Sequence, residues 1–121
     1  MPKQKDVVYL LGSKYTPLRD GFESASKHII KNKVTKIMLT FGGADVRNLS
    51  PSVLKVLTKN FADCEKNIVV GAGFTNTKEI QECKDENTNL IFNADTKTMI
   101  NLMQESDLAI ASGGQTLYEL A

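Results

Sequence analysis

The chain alternates between short apolar segments and longer amphipathic ones. Five near-continuous apolar runs, rich in β-branched residues, predict strands that are buried on both faces. These runs are Val7 to Leu11, Val34 to Phe41, Ile68 to Val70, Leu90 to Phe92 and Leu108 to Ala111. Strands of this kind are typical of a parallel sheet covered by helices.

The segments between the runs have helical periodicity. One predicted helix has Ser50-Pro51 as its cap and first-turn proline and Val53, Val56, Leu57 and Phe61 on one face. Another is capped by Asp95 or Thr96 and has Met99, Leu102 and Met103 on its buried face. The remaining predicted helices are a short one at Thr77 to Cys83, one that starts near Gly114 and contains Leu117 and Leu120, and one at Phe22 to Ile30. Because strand and helix alternate, we expect an α/β fold with an open parallel sheet.

Composition narrows the function classes. The 121 residues suit one compact domain, and the formal net charge of +1, with 7% aromatic residues and no Trp, argues against a nucleic-acid partner. No apolar stretch is long enough to span a membrane. Cys64 and Cys83 are isolated in sequence, and His28 is the only histidine. We therefore expect reduced thiols in a cytoplasmic protein, with no metal site.

Glycine-bearing turns follow three of the predicted strands. They are Phe41-Gly42-Gly43-Ala44-Asp45, Gly71-Ala72-Gly73-Phe74 and Ser112-Gly113-Gly114-Gln115-Thr116. In an open parallel sheet such turns lie together at the carboxyl edge, where ligands bind. Glycine lets the backbone approach a ligand closely, so a shared ligand site is one interpretation. The other is ordinary chain reversal, with Asp45 and Arg47 exposed to solvent.

The third turn gives the most specific prediction of a ligand. Gly113 and Gly114 lead into a predicted helix whose free N–H groups favour a phosphate, and Ser112 and Thr116 add hydroxyl donors. Glu119 follows where its carboxylate can accept hydrogen bonds from ribose hydroxyls. The alternative is a tight strand-to-helix turn with Glu119 as an ordinary first-turn carboxylate. No Ser-His-Asp set is evident, and His28 fits a structural or exposed role better than that of a base.

Four segments resemble one known family. Gly12 to Arg19 is similar to its "G-x-x-Y-x-P-L-R" segment, Leu39 to Asp45 to its "T-F-G-G-x-D" turn and Val70 to Phe74 to its "G-x-G-F" turn. Asp107 to Ala121 resembles its "D-L-A-I-x-x-G-G-x-T-L-Y-E-L-A" stretch. The family comprises UDP-sugar hydrolases of pseudaminic acid biosynthesis and related spore-coat polysaccharide proteins. The resemblance covers nearly the whole chain in order.

The resemblance implies the C-terminal, Rossmann-like half of a GT-B fold, with helices on both faces of the sheet. Residues 1–22 would be the end of a preceding domain or an interdomain segment. Residues 23–121 would form the UDP-binding domain, incomplete at its C-terminus. The implied ligand contacts are Gly113, Gly114, Gln115 and Thr116 on the diphosphate, Glu119 on the ribose, Gly42 and Gly43 at the cleft, and Gly73, Phe74 and Phe92 around the uracil.

The family's "G-x-G-H-x-x-R" motif, whose histidine activates water, is not found in this chain. We therefore expect no catalytic residue here and no activity from the chain alone, without a metal or other cofactor. The parent enzyme would hydrolyse a UDP-2,4-diacetamido-2,4,6-trideoxy-hexose for cell-surface polysaccharide or nonulosonic acid biosynthesis. Two alternatives stay open: the UDP-sugar-binding domain of a GT-B glycosyltransferase, and a non-catalytic α/β fragment that forms homo-oligomers through exposed edges.

Overall fold

A computed structural model describes residues 7–121 of the chain, and its centre is a four-stranded parallel sheet. The strands are β1 (Lys36–Thr40), β2 (Glu65–Val70), β3 (Thr88–Phe92) and β4 (Leu108–Ala111). Their order is β3-β2-β1-β4, so the chain builds outward from β1 to β3 and then returns to the other side of β1. This reversal creates a topological switch point between β1 and β4.

Four α-helices accompany the strands in the described part of the chain. They are α1 (Leu49–Asn60), α2 (Thr77–Cys83), α3 (Thr96–Glu105) and α4 (Gln115–Leu120). Helices α1 to α3 each connect two consecutive strands, as parallel pairing requires, and α4 follows β4. None of the helices in residues 7–121 has the length and apolarity to cross a membrane.

Alternate residues along the strands face opposite layers of the core. Leu39 and Ile68 pack with Leu54 of α1 and Ile80 of α2 on one face of the sheet. On the other face, Met38 and Val69 pack with Met99 of α3 and with Phe22. Both faces are therefore covered by helices, which confirms the predicted α/β fold with a Rossmann-like open parallel sheet.

Two helix starts are capped by aspartate side chains. Asp95 accepts a hydrogen bond from the Thr98 backbone N–H at 2.8 Å, which confirms one of the two predicted caps of α3. At α1 the prediction of Ser50 as the cap is wrong, because Ser50 lies inside the helix and is buried. The cap is Asp45, whose carboxylate accepts hydrogen bonds from the backbone N–H groups of Leu49 and Ser50 at 2.9 Å each.

Two predicted elements near the N-terminus are wrong. Residues 7–11 form no strand, and residues 22–30 contain only a single 3-10 turn, Phe22–Ser24, in place of the predicted helix. The physical reason is the lack of buried surface: Val8 is 83% exposed and Ile30 is 90% exposed. Phe22 is the one buried hydrophobic residue of this part, and it anchors the segment on α3.

Candidate functional site

The three glycine turns lie at one edge of the sheet. Thr40 at the end of β1 stands beside Val69 of β2 and Ala111 of β4, so the strands end at nearly the same level. The turns that follow are Gly42-Gly43, Gly71 to Gly73 and Ser112 to Gly114. Those after β1 and β4 flank the topological switch point, which is where open α/β sheets place ligands.

The turns after β1 and β2 are packed against each other. The Gly73 backbone N–H donates to the Gly43 carbonyl oxygen at 2.9 Å. A Cβ atom placed on Gly71 would lie 2.4 Å from that same oxygen, and one on Gly73 would lie 3.0 Å from it. Crowding inside the protein therefore accounts for glycine at both positions of the second turn, whether or not Gly73 also borders a ligand.

The glycines of the other two turns face open space. A Cβ atom on Gly42, Gly43, Gly113 or Gly114 would meet no atom of residues 7–121 within 4 Å. Gly42 and Gly114 have φ angles of +74° and +123°, which favour glycine for conformational reasons. Gly43 and Gly113 have no left-handed φ, and a Cβ atom would have room at both, although the Gly43 backbone itself packs against Gly71. The Cβ side of these two residues is free for another molecule to approach.

The turn after β4 runs directly into α4. The Ser112 backbone N–H donates to the Thr40 carbonyl oxygen at 3.3 Å, which continues the pairing of β4 with β1. Gly114 is the N-cap residue of α4 and has no side chain with which to cap it. The Gln115 side-chain Nε2 donates to the Pro17 carbonyl oxygen at 2.6 Å, and Thr116 is half-buried. Gly113, Gly114 and Gln115 are exposed residues, and the N–H groups at the start of a helix have no partner within the helix.

Glu119 has an ionic partner that the sequence analysis did not identify. Arg19 Nε donates to Glu119 Oε1 at 2.7 Å, and Arg19 Nη2 donates to Oε2 at 2.6 Å. The Glu119 side chain is only 2% exposed, whereas that of Arg19 is 39% exposed. The hydrogen bond to Glu119 is the main cause that raises the pKa of Arg19. The two residues are 100 positions apart, so helical or strand spacing gives no signal for this pair.

Phe74 and Phe92 lie on the far side of the site from Glu119. Phe74 is half-buried and packs against the core cluster of Leu39 and Ile68, while Phe92 ends the outer strand β3 and is 51% exposed. Three strand spacings of about 4.8 Å separate β3 from β4, or about 14 Å. A ligand that touches both Phe92 and the turn after β4 must therefore extend along the edge of the sheet.

Asp45 belongs to a polar network behind the first turn. Asn76, which is buried, donates through Nδ2 to Asp45 Oδ2 at 2.9 Å and also to Asn48 Oδ1. Burial raises the pKa of Asp45, but hydrogen bonds from Ser50, Asn76 and Leu49 outweigh it and hold the pKa below its ordinary value. The alternative of an exposed Asp45 is thus wrong, whereas Arg47 is exposed. Asp45 therefore joins the end of the turn after β1 to the start of α1 and to Asn76.

His28 lies at the opposite edge of the sheet. Its Nδ1 is 2.8 Å from the carbonyl oxygen of Gln104, near the C-terminal end of α3. That end of α3 leads into β4 and hence lies at the amino edge, where the Asp107 N–H donates to the Lys36 carbonyl oxygen. His28 is therefore separated from the glycine turns by roughly the length of a strand, about 15 Å. In residues 7–121, no His, Cys, Asp and Glu side chains cluster in a way that could hold a metal ion.

The fold and the turns define the chain as an α/β protein with an open parallel sheet. Among curated proteins it is similar to uncharacterized protein MJ1062 of Methanocaldococcus jannaschii, at 33% identity over 126 aligned positions. The alignment covers 97% of this chain and 26% of that protein, so the chain spans about a quarter of its length. No family model matches the chain, and no solved structure matches it. That protein is uncharacterized, so the similarity carries no functional argument.

Proposed function

We propose that this chain is the nucleotide-binding part of a UDP-sugar hydrolase. The carrying observation is the convergence of the glycine turns at the switch point, with open space at the Cβ positions of Gly43 and Gly113 for an approaching ligand. Neither crowding within the protein nor a left-handed φ explains glycine at these two positions. Close approach of a phosphate to the backbone does explain it.

The roles of the site residues follow from their chemistry. Backbone N–H groups of Gly113 to Thr116 would hold the diphosphate, with hydroxyl groups of Ser112 and Thr116 beside them. The Glu119 carboxylate would accept hydrogen bonds from the ribose, and the turn at Gly42 and Gly43 would border the sugar. Phe74 and Phe92 would form the uracil side, at the β2–β3 end of the edge.

The hydrolytic step would draw its base from outside these 121 residues. Water would attack the anomeric carbon of the sugar, and the bond from that carbon to the diphosphate oxygen would break. The proton of the water would pass to the base, and UDP would leave with the bonding electron pair. His28 is not proposed as this base, because it lies near the C-terminal end of α3, about a strand's length from the glycine turns, although one cavity is lined by both His28 and Glu119. The hydrogen-bond donors of the β4–α4 turn would stabilise the charge on the departing diphosphate.

Isothermal titration of the folded chain with UDP, UMP and ADP tests the binding role. We expect UDP to bind more tightly than UMP, because the second phosphate adds contacts with the glycine turn. It should also bind more tightly than ADP, as the resemblance to UDP-sugar hydrolases implies. Equal affinity for all three nucleotides, or no heat at millimolar UDP, would contradict the proposal.

Glu119 offers a second test of the same site. Its replacement by Ala removes a charged hydrogen-bond acceptor for the ribose, so UDP affinity should fall by about 1–3 kcal/mol, or roughly five- to 150-fold. Inorganic pyrophosphate, which has no ribose, should bind E119A and the unmodified chain alike. An unchanged UDP affinity in E119A would remove the ribose role from Glu119.

The proposal extends to location and self-association. The free thiols of Cys64 and Cys83 suit the cytoplasm, where nucleotide sugars are made. Strands β3 and β4 are the two edges of the sheet, and Val8, Leu10 and Leu11 add exposed apolar surface. We expect the isolated chain to form homo-oligomers through these surfaces. Light scattering that reports a monomer at high concentration would contradict that expectation.

A further inference from the structure

The carboxylate of Glu119 is fully engaged within the protein. Both of its oxygens accept hydrogen bonds from one guanidinium group, and the side chain is 2% exposed. A pair of vicinal ribose hydroxyls would need the same two oxygens. The guanidinium presents two parallel N–H donors, which match a carboxylate in the way that two neighbouring hydroxyl groups would.

The segment that carries Arg19 lies along α4. Its Pro17 carbonyl oxygen accepts from Gln115 at the start of the helix, and Arg19 reaches Glu119 one turn later, about 6 Å further along. Phe22 is buried against α3, and the Arg19 guanidinium carbon lies 5.3 Å from the centre of its ring. The main chain is thus anchored on both sides, while the guanidinium itself is partly exposed.

We infer that Arg19 occupies the ribose subsite when no nucleotide is bound, and that a nucleotide reaches Glu119 by displacing it. This inference rests on the proposed function. It makes Arg19 a residue that sets the affinity for ribose without contacting the reacting atoms. An ion pair with a partly exposed arginine is weak enough to open. The apparent nucleotide affinity is the intrinsic affinity multiplied by the fraction of molecules in which the ion pair is open.

Replacement of Arg19 by Gln tests the displacement. UDP affinity should rise about three- to fivefold in R19Q, because Glu119 is then free, the size expected for losing a partly exposed ion pair. Inorganic pyrophosphate, which makes no use of Glu119, should show no gain. In an E119Q background, the R19Q change should leave UDP affinity unaltered, because the two residues act through one contact.

Lys59 provides the matched control for charge. It is exposed near the end of α1, and α1 runs away from the glycine turns toward the amino edge of the sheet. K59Q removes one positive charge, as R19Q does, and should leave UDP affinity unchanged. A gain of the same size in K59Q would mean that net charge, rather than the freed carboxylate, governs the effect, and would overturn the inference.

A measurement on the unmodified chain covers the case in which R19Q does not fold. Arg19 and Arg47 are the only arginines of the chain, so NMR should resolve two side-chain Nε–H resonances, which R47K assigns. Saturating UDP should move the Arg19 resonance toward the position of a solvent-exposed arginine. An unmoved Arg19 resonance, or a UDP affinity in R19Q that is equal or lower, would overturn the inference alone. Absence of UDP binding by every variant would overturn the proposed function, and this inference with it.

Discussion

The turn after β2 and the turn after β4 each contain two glycines and follow a strand of the same sheet, but their surroundings are opposite. Gly71 and Gly73 are glycines because the Gly43 peptide lies against them, with no room for a Cβ on Gly71. Gly113 has open space around its α-carbon and no left-handed φ. A glycine turn after a strand therefore has two distinct physical causes, close packing within the protein and room for a ligand. Only the second cause bears on function.

The largest effect on stability is expected at Gly71. In G71A the new Cβ would lie 2.4 Å from a backbone oxygen, so the two turns must separate. We expect the free energy of unfolding to fall by about 3 kcal/mol, the upper range for an overpacked site. Urea unfolding measures this change. A G71A protein as stable as the unmodified chain would show that the two turns are not packed as described.

A somewhat smaller effect is expected at Asp45. D45A removes the cap of α1 and the partner of Asn76, and it places Ala at a φ of +45°. The free energy of unfolding should fall by about 2 kcal/mol, as for the loss of a strong cap. D45N, which keeps the shape and one acceptor oxygen, should lose less. Equal losses in both variants would mean that the charge, and not the hydrogen bonding, is what matters.

The Asp45 contribution should also depend on pH. A carboxyl group whose pKa is lowered by folding stabilises the protein fully above its unfolded pKa of 3.8. That stabilisation is lost as the pH falls through the lower pKa of the folded state. The difference in unfolding free energy between the unmodified chain and D45N should therefore be constant above about pH 5 and shrink below about pH 4. A difference that does not change between pH 7 and pH 3 would contradict the assignment.

The smallest effect is expected at Gly113. Because a Cβ there meets no described atom within 4 Å, G113A should change the free energy of unfolding by no more than about 0.5 kcal/mol. The same unfolding assay that measures G71A checks it. A loss as large as that in G71A would erase the contrast between the two turns.

The sequence predicts the fold well where burial is two-sided. The apolar run of β1 is visible because four of its five residues are buried between the helix layers, whereas the edge strand β4 has no buried residue and is recognised by its apolar composition. Strand β2 begins at Glu65, three residues before the predicted run. The pattern misses this start because Lys66 is polar, although the structure buries it completely. Its ammonium group donates to the carbonyl oxygens of Phe61, Ala62 and Cys64 and pairs with Asp85 at 3.0 Å. These contacts stabilise the buried charge of Lys66 only in the folded structure, so the pattern of apolar and polar residues does not reveal them.

The candidate site is predictable only in part, for a related reason. The glycine turns are readable in sequence, and the parallel sheet brings them to one edge without further information. The packing of Gly71 on Gly43 and the pairing of Arg19 with Glu119 depend on contacts between distant segments. The apolar residues at 7–11 and 22–30 lead to the wrong prediction of a strand and a helix, because most of them are exposed in the structure.

The most direct test of the central claim is UDP binding by G113V, measured together with its stability. At Gly113 neither crowding nor a left-handed φ requires glycine. We therefore attribute this glycine to the approach of a ligand. We predict that G113V melts within a few degrees of the unmodified chain and shows no measurable UDP binding, because the isopropyl group fills the space of the phosphate. A G113V protein that binds UDP with unchanged affinity would contradict the account.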